Sequence, residues 1–293
     1  MNPVRRPGTR PRHGWSAIVT LLLGVLLAAT ALVACGSGDD SVDTSSSEPA
    51  PTTTEATGTG TGTTAAGTPS GTVAPDAAGV TLNVTFLDGG KVATGHRRVA
   101  PTQAVARAAL DQLVAGPNAT EQGVGYSSGI ATGTKVGGID IAGGVATVDL
   151  TPAVTDHAAQ AQVVYTLTQF PSVEKVRFGS GATPVTRADY RDVTPLIFLE
   201  SVAPGDIVSS PVTVAGDANT FEATVQIKVV GADGSVLVNT FTTATSGSGT
   251  WGTFSKDVAF NRGNNTSGKV VVFWDSPKDG TPQDVTEVPV TFR

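Results

Sequence analysis

Few side chains in this 293-residue chain could do covalent or acid–base chemistry. There is one cysteine, Cys35, so an intramolecular disulfide and a Cys-rich zinc or iron–sulfur site are both excluded. Of three histidines, His13 lies in the N-terminal segment, which leaves His96 and His157 for any imidazole chemistry in the body. Gly125-Tyr126-Ser127-Ser128-Gly129 is a formal G-x-S-x-G match. A nucleophile elbow needs a strand before the serine, a helix after it, and a His and an acid elsewhere. Here helix and loop precede the match and a Gly-rich loop follows it, so Ser127 reads as a loop serine. His96, beside Arg97 and Arg98, reads as a solvated strand position, and His157 as a surface residue of a helix-capping region. Asp149 reads as a turn cap at a strand end. Trp251 and Trp274 read as core or rim packing. Gly58, Gly60 and Gly62 have no strand–helix context for a nucleotide loop. No HExxH and no EF-hand spacing occurs. The expectation is no catalytic residue, no cofactor and no metal.

Charge narrows the partners. There are 19 Lys+Arg against 25 Asp+Glu, a net −6. A nucleic-acid binder working through a basic face is thereby excluded.

The N-terminus orders its residues as an export signal does. Arg5, Arg6, Arg10 and Arg12 come first with no acid, then an apolar run over 17–34. Eighteen residues barely span a ~30 Å bilayer, so a permanent transmembrane helix is the competing reading. The end of the run favours cleavage. Leu32-Val33-Ala34-Cys35-Gly36 resembles the lipobox of bacterial lipoproteins, which implies that the Cys35 thiol receives a diacylglycerol after residues 1–34 are removed. Small residues before the thiol let an extended backbone enter a narrow peptidase cleft. Pro7-Gly8-Thr9 follow Arg5-Arg6 where twin-arginine signals carry an apolar pair, so the general secretory route is expected. Cleavage before Cys35 leaves 15 basic and 25 acidic residues over 259, a net −10. Such a body is not drawn to an anionic membrane. Two acyl chains would anchor it stably where one would not.

Residues 35–79 are expected to be the lipidated Cys35 and a disordered tether, rich in Thr, Gly, Ser and Pro. They hold almost no large apolar side chain to offset ordering entropy. Forty-four residues reach roughly 145 Å when taut and ~35–40 Å when relaxed.

The elements that would hold these residues fall into two units. Over 80–190, apolar alternation at Val80, Leu82, Val84 and Phe86 predicts a strand over 80–87, with a return strand over 91–99. Thr102 is a plausible N-cap for a helix whose inward face carries Val105, Ala109 and Leu113 with Ala106, Leu110 and Val114, repeating at four-residue spacing. Gly116-Pro117 ends it. A hairpin over 136–150 turns at Ala142-Gly143-Gly144. A helix over 158–168 and a strand over 173–178 complete an α+β domain, a sheet with two helices on one face. Leu110-Asp111-Gln112-Leu113-Val114-Ala115-Gly116-Pro117 is followed in order by Ile130 to Val136, Gly144 to Leu150 and Val164 to Val173. Together they resemble the GerMN domain of bacterial sporulation and spore-germination proteins, a non-catalytic extracytoplasmic module. Ala131 stands where the family carries proline, which bears on the local loop shape.

Over 195–293 helix signals disappear. Seven short strands are predicted, at 196–200, 211–215, 224–230, 236–242, 253–260, 269–274 and 285–292. They suggest an all-β immunoglobulin-like sandwich with Ile227, Val229, Phe254, Val271 and Phe273 in its core. Val208 to Ala218, Phe221-Glu222-Ala223, Trp251 to Phe254 and Val288-Pro289-Val290 resemble the Gmad-type immunoglobulin-like domain of spore-germination proteins. Twelve Arg against seven Lys, with abundant Ala, Gly, Thr and Val, suggests a GC-rich, actinobacterial genome. These readings imply a lipid-anchored protein on the outer face of the cytoplasmic membrane, binding or scaffolding an envelope protein or cell-wall component. An accessory regulator of a membrane sensor kinase is one alternative. A cell-wall hydrolase with an unrecognised site is another.

Overall fold

The computed structural model describes residues 79–293. The expectations for the signal over 1–34, for Leu32, Val33, Ala34, Cys35 and Gly36, and for the tether lie outside the described residues.

The chain begins with a hairpin of β1 (Val80–Asp88) and β2 (Lys91–Val99), in register from Val80 opposite Val99 to Asp88 opposite Lys91. Gly89 and Gly90 turn it at φ +54° and +83°, a region that favours glycine. Helix α1 (Val105–Ala115) buries Ala106, Ala109, Leu110 and Leu113. Thr102 does not cap it. The N-cap is Ala104 with no side-chain cap bond, and the Thr102 hydroxyl accepts from the Ala104 N–H one step earlier. A one-turn helix α2 (Ala119–Gly123) follows, held by an Asn118–Glu121 capping box. Strands β3 (Lys135–Ala142) and β4 (Val145–Thr151) form the expected hairpin. Helix α3 (His157–Leu167), capped by Asp156, crosses over to β5 (Lys175–Phe178), which lies parallel to β4.

The five strands form two sheets, β1-β2 and β3-β4-β5, where the sequence reading has one. The outer edge of β1 is closed by side chains of and just after α3. Gln169 and Thr166 accept from the Asn83 and Thr85 N–H groups, and Gln162 and Gln169 donate to the Thr85 and Asn83 carbonyls. A helix thus supplies the hydrogen bonds a neighbouring strand would give.

After a 3-10 helix, Arg187–Val193, the rest is β-structure. Strands β6 (Ile197–Leu199), β7 (Ile207–Val208), β8 (Val212–Ala218), β9 (Thr224–Gly231), β10 (Val236–Thr243), β11 (Gly252–Val258), β12 (Ser267–Asp275) and β13 (Pro282–Phe292) pair as β10-β9-β12-β13-β7 and β11-β8-β6. The sheets enclose a core with Val225, Ile227, Val229, Phe254, Val270, Val272, Val288 and Val290. Val271 and Phe273 are buried but lie on the other face of β12. Their register neighbours are Lys228 and Gln226, and the Lys228 Nζ sits 4.5 Å from the Phe273 ring centroid. A period of two along β12 puts Val270 and Val272 inside, so the neighbours between them must face out. An apolar run at five successive positions, Val270 to Trp274, hides that phase.

Candidate functional site

The two folded parts meet along a seam, and the seam is where the chemistry-bearing residues collect. Phe198 belongs to β6 of the sandwich, yet its ring is part of the α+β core and meets the Tyr165 ring edge-on, with centroids 4.9 Å apart and planes at 72°. Arg187 lies over both rings, at 4.8 Å from Tyr165 and 5.9 Å from Phe198. Its guanidinium pairs with Glu200 at 2.9 Å and reaches Asp217 at 3.6 Å. Arg191 pairs with Asp217 at 3.2 Å and stacks over Trp251 at 4.1 Å. The 3-10 helix delivers both arginines to one side, across from β6, β8 and the start of β11.

Hydroxyl directions follow from the acceptors. Thr194 Oγ1 donates to the Tyr190 carbonyl, so at 2.6 Å it accepts from the Tyr165 hydroxyl. Tyr165 in turn accepts from Arg191 at 3.1 Å. Burial raises the Tyr165 pKa despite Thr194 and the two arginines, which keeps the phenol a neutral donor.

His96 is not a solvated strand position. Its ring crosses the seam, with Nδ1 2.8 Å from an Asp206 carboxylate oxygen and Nε2 3.1 Å from the Glu200 carbonyl. Its side chain is 15% exposed. Both ring nitrogens face acceptors, so only the imidazolium satisfies both. Burial alone would lower its pKa. The Asp206 hydrogen bond and charge, with the Glu200 carbonyl, outweigh it and raise the value above the usual 6.5. A folded-state pKa above the unfolded one stabilises fully below about pH 6.5, and the gain is lost as pH rises through the folded value. Urea midpoints of the native protein and of His96→Gln should therefore differ most at pH 5.5–6 and converge toward pH 8.5. A gap that widens with pH would contradict the imidazolium assignment.

Beside it, Arg97 is turned to the opposite face of β2 and makes a two-pronged pair with Glu121, at 2.6 and 2.7 Å. Glu121 is fully buried. The run His96-Arg97-Arg98 looks like exposed charge, and its alternation across the strand was the one signal that two of these side chains face different partners.

The other sequence candidates stay apart. Ser127 bridges Leu87 through both backbone groups, and its hydroxyl lies 3.4 Å from the Leu87 carbonyl. His157 starts α3, half exposed, pairs with Asp192 at 3.0 Å and stacks on Tyr190 at 4.7 Å. Asp149 caps no turn. It sits inside β4 against Gly137 at a bulge, where a Cβ would stand 2.9 Å from the Asp149 carboxylate. Trp251 belongs to the seam. Trp274 packs on the sandwich rim and donates its indole N–H to Asp284 at 2.6 Å. Among the described residues no group of three or more His, Cys, Asp or Glu is arranged to hold a metal, and no helix is long and apolar enough to cross a membrane.

Comparison with known proteins follows the same division. Residues 76–185 match the family described as sporulation and spore germination. Residues 196–281 match the immunoglobulin-like domain of bacterial spore germination. Neither description names a catalytic activity. Among solved structures, the tandem GerMN domains of the sporulation protein GerM from Bacillus subtilis align at 17% identity and TM-score 0.31, covering 62% of this chain and 62% of that one. A chain from Clostridium perfringens described as a candidate lipoprotein aligns at 18% identity and TM-score 0.26, covering 40% of this chain and 93% of that one. The chain thus spans less than two thirds of the Bacillus structure it matches. No curated protein matches it.

Proposed function

We propose that this chain, a GerMN domain followed by a Gmad-type immunoglobulin-like domain, works as a non-catalytic binding module of the cell envelope, held outside the cytoplasmic membrane by lipid on Cys35. The observation that carries the reading is the order of the chain. Basic residues, an apolar run, Leu32-Val33-Ala34-Cys35-Gly36 and a Thr/Gly/Ser/Pro-rich stretch lead to two domains locked by the seam. A thiol at that place is the natural acceptor of a diacylglycerol, and two acyl chains hold a protein at a bilayer stably. The 44 residues after Cys35 set the module a few nanometres from the headgroups. The net −10 of the processed chain keeps its surface from lying on anionic lipid. The partner on this reading is an envelope protein or a cell-wall component, engaged by the rigid pair of domains as a unit.

The test is at Cys35. Intact-mass spectrometry of the membrane fraction should find a chain beginning at a diacylated Cys35, and Cys35→Ala should take up no labelled fatty acid and keep residues 1–34. A wild-type chain with residues 1–34 still attached would make the apolar run a membrane anchor and sink the lipid assignment.

A further inference from the structure

The five-stranded sheet of the sandwich ends in an open edge. Its terminal strand, β10 (Val236–Thr243), is eight residues long and among the described residues pairs only with β9. The phase of that pairing shows which backbone groups are free. The Ala244 N–H donates to the Ala223 carbonyl at 2.8 Å, one step beyond the ladder. Opposed residues of an antiparallel pair alternately turn their N–H and C=O groups toward each other and away. Counting back along the register, Thr243, Phe241 and Asn239 turn theirs away from β9. The far side of β9 gives the same phase. The Ala232 N–H bonds to the Ser267 carbonyl at 3.0 Å, so Gln226 and Lys228, opposite Phe241 and Asn239, face β12. Asn239, Phe241 and Thr243 are all exposed, Phe241 at 58%. Their outward backbone groups have no protein partner among the described residues.

This edge lacks the devices that guard the others. Natural edge strands are blunted by charge, by shortness or by cover. β3, β5 and β11 carry Lys135 and Asp140, Lys175 and Arg177, and Lys256 and Asp257. β7 has two residues, β6 is buried throughout, β1 is closed by α3, and β2 is covered at Val92 and Thr94. β10 reads Val-Leu-Val-Asn-Thr-Phe-Thr-Thr, with no charge and no proline, and its one irregularity falls before Asn239.

We propose that the β10 edge pairs antiparallel with the β10 edge of a second copy of this chain, about a two-fold axis through Phe241. The edge is complementary to itself in that register. Asn239 falls opposite Thr243 of the other copy and Phe241 opposite Phe241, so every outward-turned residue meets another, and each pair exchanges both main-chain bonds. Side chains opposite each other share a face, which sets ring against ring and an amide against a hydroxyl. The two rings extend the row Phe273–Gln226–Phe241 of the outer face across the axis. Lys228, the cation nearest the edge, lies in the Asn239 row, which runs on to Thr243 and Thr224 of the other copy, so no like charges are opposed. One patch that matches itself is what a two-fold interface requires. The pairing is independent of the lipid assignment, and the result at Cys35 does not bear on it.

The experiment is sedimentation of the full-length chain in a density-matched detergent, from about 1 to 300 μM, the range in which a small interface associates. The protein mass should rise toward that of a dimer. Phe241→Lys and Phe241→Glu should each dimerise at least roughly fivefold more weakly, because like charges then face each other at the axis. Their urea midpoints should stay near the native value, since the side chain is exposed. Mixing the two variants should restore the dimer, which a merely misfolded variant would not do. A native chain that stays monomeric throughout, a Phe241→Lys dimer as tight as the native one, or a mixture no more dimeric than its components would overturn the proposal and leave the edge to a strand of another protein.

Discussion

Replacing Glu121 by Ala should destabilise the protein by on the order of 3–5 kcal/mol, the usual effect of removing one partner of a buried ion pair. Glu121 is fully buried and Arg97 is 12% exposed. The carboxylate accepts twice from Arg97 and once from the Asn118 N–H at 2.7 Å, so one side chain satisfies a cation and closes the capping box of α2. Gly95 leaves the space it occupies, since a Cβ at that position would overlap the carboxylate. Without Glu121 the guanidinium loses its counter-charge while still covered by Phe86, whose ring centroid is 5.2 Å away. Against a total of 5–15 kcal/mol for a typical protein, such a loss unfolds a visible fraction of molecules. Urea unfolding followed by far-ultraviolet circular dichroism measures it. A second variant separates the pair's net worth from the penalty of an orphaned charge. Arg97→Met combined with Glu121→Leu should recover much of the loss, because apolar replacement of both partners of a buried pair is often neutral. A loss under about 1 kcal/mol in Glu121→Ala would show that water or another acceptor reaches Arg97.

Phe198→Ala should cost about 3–5 kcal/mol, as large-to-small changes at fully packed aromatic sites do, and should uncouple the two domains. Phe198 is 2% exposed. Its backbone is held by β8 of the sandwich, while its ring fills the α+β core against Tyr165 and under Arg187. Removing the ring opens a void on one side of the seam and takes away the platform that orients Arg187 toward Glu200 and Asp217. The native protein should unfold in one step by both tyrosine fluorescence and circular dichroism. The variant should show separated transitions and faster proteolytic cleavage between Val193 and Ile197. A variant that still unfolds in one step at the native midpoint would mean that the charged contacts alone join the domains.

How much of this was legible in the sequence differs residue by residue. Alternation at Val80 to Phe86 marked β1, because successive side chains of a strand point to opposite faces. The Gly116-Pro117 stop of α1 and the Ala142-Gly143-Gly144 turn were equally plain, since Gly116, Gly143 and Gly144 take φ values of +84°, +56° and +77° that favour glycine. The resemblance to GerMN and Gmad-type domains rested on ordered motifs and is shown by the family matches. Val271 and Phe273 were assigned to the wrong side of β12 because five successive apolar residues carry no phase. The parallel pairing of β4 and β5 was unreadable, because α3 could have returned the chain to either sheet.

Local periodicity, turn chemistry and the positions of one cysteine and a few motifs are properties of the chain itself, and they determined the class of each domain and the expectation at Cys35. The seam was decided only by tertiary structure. His96, Arg187, Arg191, Glu121 and Asp217 look like ordinary surface charge in sequence, because whether a charged side chain is solvated depends on what packs over it from other elements of the chain. Asp206 lies 110 residues from His96, and Asp217 lies 26 from Arg191. The physical reason is range: hydrogen bonding within an element follows from neighbours along the chain, whereas desolvation and charge pairing follow from neighbours in space.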